Sequence, residues 1–111
     1  MKLTEKKQSK IFKILSLFSN KRLEKITEDN FSFSKMSRQE MYFFMECVWI
    51  TLGKEQATNK EMAKGINEVL ALAILETLRR RDLVKINKEG NFSKTKFGKE
   101  VMKLIKKKEQ G

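Results

Sequence analysis

The 111-residue chain contains no histidine and a single cysteine. Without histidine it lacks the commonest metal ligand and the one side chain that normally titrates near neutral pH. Cys47 has no partner for a disulfide within the chain. Because Cys47 lies in an apolar stretch, we expect a buried small side chain rather than a reactive thiol. These scarcities exclude a disulfide framework and most metal-dependent or hydrolytic sites.

Long apolar runs are also missing. No run approaches the roughly 20 residues that a helix needs to cross a bilayer, and the first residues lack an apolar stretch followed by a cleavage site of small residues. We therefore expect a cytoplasmic protein with no membrane partner.

The acidic residues give no sign of an active site. Glu24, Glu46, Glu76 and Glu100 alternate with basic residues at helical spacing, a pattern that is typical of solvated helix faces. No set of residues combines a nucleophile, a base and an orienting group. The sequence therefore predicts no enzyme, no cofactor and no metal ion.

Positive charge, in contrast, is abundant. The net charge is +11, with +4 over residues 1–29, zero over 30–57, +1 over 58–82 and +6 over 83–111. Such an excess favours an anionic partner, with nucleic acid as the first candidate, because each neutralised phosphate releases condensed counterions. The alternative is a lysine-rich composition that serves solubility alone.

A chain of this length can bury one core, so we expect one domain, residues 37–111, and a basic N-terminal helical extension, residues 1–36. The extension predicts a helix near residues 4–19. Its apolar face could lie on a membrane surface, but docking on the domain or pairing with a second copy is favoured. The residues of this face are Ile11, Ile14, Leu15 and Phe18.

Two capping boxes mark helix starts in the domain. The first is Ser37 with Glu40; the apolar helix that follows, to Leu52, is expected at the centre of the core, with Tyr42 and Trp49 inside.

The second capping box, Thr58 with Glu61, begins a short helix that Gly65 and Asn67 are expected to close. Asn67 then caps the next helix, and two such closely linked helices make a helix-turn-helix.

A hairpin and a last helix complete the pattern. Residues 83–86 and 92–94 are strand candidates on either side of a polar turn, and Thr95 is placed to cap a final helix. The predicted fold is mainly α, an α+β winged helix: a helix-turn-helix with a two-stranded β wing, plus N-terminal and C-terminal helices.

Three segments resemble winged-helix transcriptional regulators of the multiple-antibiotic-resistance and PadR types. They are Ala57–Ala63, Leu75–Val84 and Thr95–Gly98, where that family typically has threonine followed by Glu-Leu-Ala, then Leu-Glu-x-x-Gly-Leu-Val, then Leu-Thr-x-x-Gly. The resemblance covers about residues 38–108 and implies transcription regulation by a DNA-binding homodimer. Asp82 stands where the family has glycine, and aspartate tolerates the left-handed conformation better than most residues.

We expect contacts to double-stranded DNA from basic and amide side chains on the helix-turn-helix and the wing. The start of the predicted recognition helix is apolar and reads bases poorly. Pairing of two copies is assigned to the apolar faces of the terminal helices. The candidate DNA-binding residues are Lys60, Lys64, Asn67, Arg79, Arg80, Lys85, Lys88, Asn91 and Lys94; the candidate dimerisation residues are Ile11, Ile14, Leu15, Phe18, Val101, Leu104 and Ile105.

A protein-interaction module is the alternative function, since winged helices also bind proteins. In this interpretation Val69, Leu72 and Ala73 form an apolar surface for a polymerase, a replication factor or another protein, in a chain of plasmid or viral origin.

Overall fold

The computed structural model describes residues 4–28, 32–87 and 91–110. It confirms the mainly helical fold, with five α-helices and a two-stranded antiparallel hairpin between the fourth and the fifth, an order consistent with a winged-helix-like arrangement. The elements are α1 (Glu5–Leu15), α2 (Asn20–Ile26), a 3-10 turn (Phe33–Lys35), α3 (Arg38–Leu52), α4 (Asn59–Arg80), β1 (Val84–Ile86), β2 (Phe92–Lys94) and α5 (Lys96–Gln110).

The chain divides into two compact units, residues 1–77 and 78–111. The division falls near the end of α4, and the boundary between extension and domain near residue 36 stays a prediction. We call these the N-terminal unit and the C-terminal unit.

The N-terminal helix α1 docks on its own chain. The Thr4 hydroxyl accepts from the Lys7 amide and caps the helix. Ile11, Leu15 and Phe18 are at most 6% exposed and lie in the core of the N-terminal unit. Their assignment to dimerisation is therefore wrong, because side chains already buried in one chain have no area left for a second copy. Ile14 packs, partly buried, against the same core.

Helix α3 begins and ends as predicted. Ser37 and Glu40 form the reciprocal capping box, and Gly53 ends the helix in the left-handed conformation with φ 66°. Its inner side, with Phe44, Cys47 and Val48, is fully buried.

The outer side of α3 contradicts the expectation of an all-round core helix. Tyr42 is 68% and Trp49 is 38% exposed. The two aromatic residues lie seven positions apart, which is two helical turns, and so share a face. In sequence this outer face is as apolar as the inner face of α3.

Helix α4 runs unbroken over 22 residues, so the predicted turn at residues 65–67 is wrong. The second capping box is present: the Glu61 amide donates to the Thr58 hydroxyl and the Thr58 amide to the Glu61 carboxylate, both at 3.2 Å. Gly65 does not end the helix. A Cβ at this position would lie 3.2 Å from Val48 and 3.3 Å from Leu52, so the glycine lets α4 approach α3 closely.

The continuous helix also changes which side chains are inside. Val69 and Ala73 are 0% and Leu72 is 6% exposed, so these residues belong to the core and cannot be the protein-binding surface that the sequence suggested. Glu76, expected on a solvated face, is 1% exposed because it continues the same helical stripe.

A bidentate ion pair joins α2 to the start of α3. Arg22 donates from Nε and Nη2 to the two Glu40 oxygens, at 2.8 and 2.7 Å, and Nη2 also donates to the Lys35 carbonyl. The hydrogen bonds from Arg22 to Glu40 are the main reason why the pKa of the Glu40 carboxyl is lowered to about 2. One carboxylate thus serves both a helix cap and a tertiary contact.

Among the residues that the structure describes, no helix combines the length and the apolar character needed to cross a membrane.

Candidate nucleic-acid interface

The outer face of α4 brings three of the predicted DNA-binding residues together. Lys60, Lys64 and Asn67 are all exposed and follow one another at intervals of four and three residues, which places them on one side of the helix. The buried stripe of Val69 and Ala73 lies on the opposite side.

Sequence reasoning missed three neighbours on this face, which are also exposed: Asn59, Ala63 and Ala71. The signal was available, since the helical periodicity of the second capping box continues through residue 65. A helix that ends at Gly65, as predicted from the sequence, does not carry these residues on one face. Glu61 and Glu68, three residues before and four residues after Lys64, border this face, and both are partly buried. We call Asn59, Lys60, Ala63, Lys64, Asn67 and Ala71 the α4 outer face.

At the start of α4, an ion pair engages one of the two acidic residues that border the outer face. Glu61 is drawn into an ion pair with Lys54, and the hydrogen bond from Lys54 lowers the pKa of the Glu61 carboxyl. That carboxylate complements the helix dipole at the first turn, whereas the exposed lysines Lys60 and Lys64 point to solvent.

In the C-terminal unit, α4 ends in a Schellman motif. The Leu83 amide donates to the Leu78 carbonyl and the Asp82 amide to the Arg79 carbonyl, both at 3.0 Å. Asp82 takes the left-handed conformation with φ 60°, as expected for the position where the resembled family has glycine. Of the candidate arginines, Arg79 is exposed and Arg80 half-buried.

Thr95 and Gly98 fasten α5 to this turn. The Thr95 hydroxyl donates to the Asp82 carbonyl at 2.5 Å and accepts from the Gly98 amide at 2.9 Å, capping α5 as predicted. A Cβ on Gly98 would lie 2.2 Å from the Leu83 carbonyl oxygen. The Thr-x-x-Gly motif therefore has a local structural role: threonine bonds the turn and glycine makes room for it.

The hairpin places its two described lysines on opposite faces. Val84 pairs with Lys94, Lys85 with Ser93 and Ile86 with Phe92. Because side chains alternate along a strand, Lys94 shares a face with Val84, whereas Lys85 points to the other side. Both lysines are exposed, but they do not form one surface.

Asn91 closes the hairpin through its main chain. Its amide donates to Asn87 Oδ1 at 2.9 Å, and its carbonyl accepts from the Asn87 amide at 3.0 Å. The Asn91 side chain is exposed. Lys88, the remaining candidate of the wing, lies outside the described residues.

Helix α5 has two unlike sides. Phe97, Leu104 and Ile105 are 50%, 64% and 46% exposed, and Val101 between them is half-buried. The assignment of Val101, Leu104 and Ile105 to dimerisation stays a prediction. On the remaining sides of the helix lie Lys96, Lys99, Lys103, Lys106 and Lys107, all exposed.

Charge is divided unequally between the units. The C-terminal unit has twelve basic and four acidic residues, a net charge of +8, and the N-terminal unit has thirteen and ten, a net charge of +3. Within residues 4–28, 32–87 and 91–110, no three cysteine or acidic side chains cluster where they could hold a metal ion.

Comparison of the chain with known protein families, with curated proteins and with solved structures finds no match.

Proposed function

We propose that the protein binds duplex DNA, with the α4 outer face directed at the major groove, and that it acts as a winged-helix transcriptional regulator. The observation that carries this proposal is the α4 outer face itself: two exposed lysines and two exposed asparagines lie with two exposed alanines on one side of the helix. Lysines neutralise phosphates, asparagine can bond adenine in a bidentate manner, and alanine can contact a thymine methyl group.

The small side chains bear on how closely the helix can approach DNA. Ala63 and Ala71 lie in line with Asn67 on the exposed side. A helix enters the major groove only if its facing side is narrow enough to reach the base edges. Asn67, in line with the two alanines, would then meet the base edges, with the two lysines at the phosphates.

Positive charge in the C-terminal unit supplies the second part of the proposal. Its net charge of +8 over 34 residues attracts a polyanion over a Debye length of about 8–10 Å. Lys85 and Lys94 face opposite sides of the hairpin, so one of them is expected to contact DNA more strongly than the other.

The test is binding of a generic fluorescent duplex of about 20 base pairs, measured by anisotropy between 50 and 300 mM NaCl. The variant is Lys60→Gln with Lys64→Gln. Its control is Lys21→Gln with Lys25→Gln, because that pair has the same spacing, the same charge change and the same exposure in the N-terminal unit.

We expect the α4 variant to weaken binding at least about tenfold at 100 mM salt and to reduce the salt slope by about two, since each phosphate contact contributes about one. The control should change affinity less than the α4 variant. Absence of binding at 50 mM salt, or equal effects of the two variants, would overturn the proposal.

A protein-binding module is the second candidate, and the exposed aromatic residues of α3 favour it. Tyr42 and Trp49 share one face of α3 and are 68% and 38% exposed, and tyrosine and tryptophan are enriched in protein interfaces. This surface replaces the buried residues Val69, Leu72 and Ala73 in the alternative. If the double variant Tyr42→Ala with Trp49→Ala keeps the DNA affinity of the wild type, the aromatic surface of α3 is separate from the DNA-binding surface.

A further inference from the structure

The apolar stripe of α5 is exposed and follows helical spacing. Phe97, Val101, Leu104 and Ile105 occur at intervals of four, three and one residues, and Met102 beside them is 40% exposed. We call Phe97, Val101, Leu104 and Ile105 the α5 stripe. An exposed set of large apolar side chains on one helix face is a binding surface by default, because its exposure to water costs free energy that a partner would recover.

The charges of α5 identify the chemistry of the partner. The helix carries six lysines and two glutamates, a net charge of +4 over 15 residues. Lys99 and Lys106 lie about half a turn from the stripe, and Lys96 and Lys107 flank it more closely, with Glu100 between these two and the stripe. A lysine-rich polar side with phenylalanine and leucine on the other, and low overall hydrophobicity, is the composition of helices that lie in a membrane interface.

A second copy of the chain fits the α5 stripe less well than a lipid surface does. Lys108 continues the line of the stripe at its C-terminal end, so pairing two stripes would place this ammonium group in the seam. Pairing would also bring together two helices of net charge +4. At a bilayer, Lys108 can extend its long side chain to the phosphate layer, and every lysine near the surface adds attraction to anionic headgroups.

We propose that α5 binds the surface of an anionic phospholipid bilayer, with the α5 stripe inserted at the level of the headgroups and its lysines among the phosphates. The helix lies along the surface and does not cross it. The absence of a spanning segment does not bear on this proposal, since a helix that lies on the surface needs none. This inference does not depend on DNA binding.

The test is co-sedimentation of the full chain with sucrose-loaded vesicles of phosphatidylcholine alone and of phosphatidylcholine with about one-third phosphatidylglycerol, in 100 mM NaCl. The variant is Leu104→Gln with Ile105→Gln, which removes apolar surface at constant charge. Its control is Leu17→Gln with Ile74→Gln. Those residues are 63% and 45% exposed, against 64% and 46% for the α5 pair.

We expect strong binding to the anionic vesicles only, at least about a tenfold loss in the α5 variant, and a change below twofold in the control, because binding strength scales with buried apolar area. Equal binding by the wild type and the α5 variant would mean that charge alone holds the protein to the vesicle, and would overturn the proposal. No binding to anionic vesicles would overturn it as well.

A second readout reports insertion directly. Phe97→Trp in a Trp49→Phe background places the sole tryptophan on the α5 stripe. Its emission should shift to the blue on anionic vesicles and be quenched by brominated acyl chains. An unshifted emission would overturn the proposal. A concentration-dependent dimer in sedimentation, dissociated by Leu104→Gln with Ile105→Gln and unaffected by vesicles, would overturn it too and assign the stripe to a second copy.

Discussion

The two units of this protein are stabilised in different ways. Every buried hydrophobic side chain among the described residues lies in the N-terminal unit, between Ile11 and Ala73. The C-terminal unit buries Gly98 but no large apolar side chain in its described part. It is held by a Schellman motif, a short hairpin and the bonds of Thr95. The unit with less core carries most of the net positive charge, and its exposed apolar residues are available to partners.

This difference follows from what each kind of stabilisation requires. Burial contributes about 25 cal/mol per Å² of apolar area but needs several elements to cover one another. Backbone caps and turns need only a few residues, although each contributes about 1 kcal/mol. The C-terminal unit can therefore leave the apolar side chains of α5 exposed and crowd lysines along the helix without placing them in a core.

The largest expected effect breaks the core of the N-terminal unit. Phe44 is 1% exposed and meets the ring of Phe33 edge to face, with centroids 5.6 Å apart. Phe44→Ala should lower the free energy of unfolding by about 3–5 kcal/mol through lost burial and the cavity left behind. Urea unfolding followed by circular dichroism measures the loss.

Leu104→Ala is the comparison from the other unit, since Leu104 is 64% exposed. Its effect should stay within about 0.5 kcal/mol. A similar loss for both variants would show that the α5 stripe is covered in solution and would contradict the contrast between the units.

A smaller loss of stability is expected when Gly98 is replaced. Gly98→Ala introduces a Cβ 2.2 Å from the Leu83 carbonyl oxygen, and backbone cannot yield as a side chain can. We expect a cost of about 1–3 kcal/mol, confined to the C-terminal unit. Hydrogen exchange should rise over residues 84–110 and stay unchanged at the amides of α3.

Gly65→Ala provides the matched test in the N-terminal unit. There the new Cβ meets side-chain carbons of Val48 and Leu52 at 3.2–3.3 Å. Small side-chain movements and the higher helix propensity of alanine offset the crowding, so the net change should be within about 1 kcal/mol. A larger loss at Gly65 than at Gly98 would contradict this ranking.

A still smaller loss of stability is expected from Glu40→Gln in the N-terminal unit, and it depends on pH. The pKa of Glu40 is lowered to about 2, chiefly by the hydrogen bond from Arg22, and lies below the 4.5 of the unfolded chain. Ionised Glu40 therefore stabilises the fold fully above pH 4.5, and this contribution is lost as the pH falls through about 2. Glu40→Gln should cost about 1 kcal/mol at pH 7, because the pair is partly exposed and screened.

The measurement is urea unfolding of both proteins at pH 7, 4 and 2.5. The difference between the wild type and Glu40→Gln should shrink towards acid pH. A difference that stays constant over this range would show that packing rather than ionisation explains the loss.

Local signals in the sequence predicted local structure well. The capping boxes at Ser37 and Thr58 and the cap at Thr95 form as expected, because each depends on hydrogen bonds within three or four residues. The left-handed conformation of Asp82 agrees with the resemblance, which places this aspartate at a glycine position. The hairpin and the order of the elements follow from such signals.

The candidate site was predicted in part. Lys60, Lys64 and Asn67 do share one face, but they lie on one continuous helix and not on either side of a turn. The error came from Gly65, whose role is set by its distance from Val48 and Leu52. A sequence pattern cannot supply that distance, since the two helices are separated along the chain.

The sequence by itself determined where the helices begin, where the hairpin lies and that the C-terminal part is strongly basic, because composition and short-range hydrogen bonding decide these features. Only the tertiary structure decided which apolar faces are covered: Ile11 and Leu15 of α1 and Val69 and Ala73 of α4 lie in the core of the N-terminal unit, whereas Tyr42, Trp49, Phe97, Leu104 and Ile105 are exposed. Burial depends on contacts between distant segments, and an apolar face looks the same in sequence whether it meets the core or a partner.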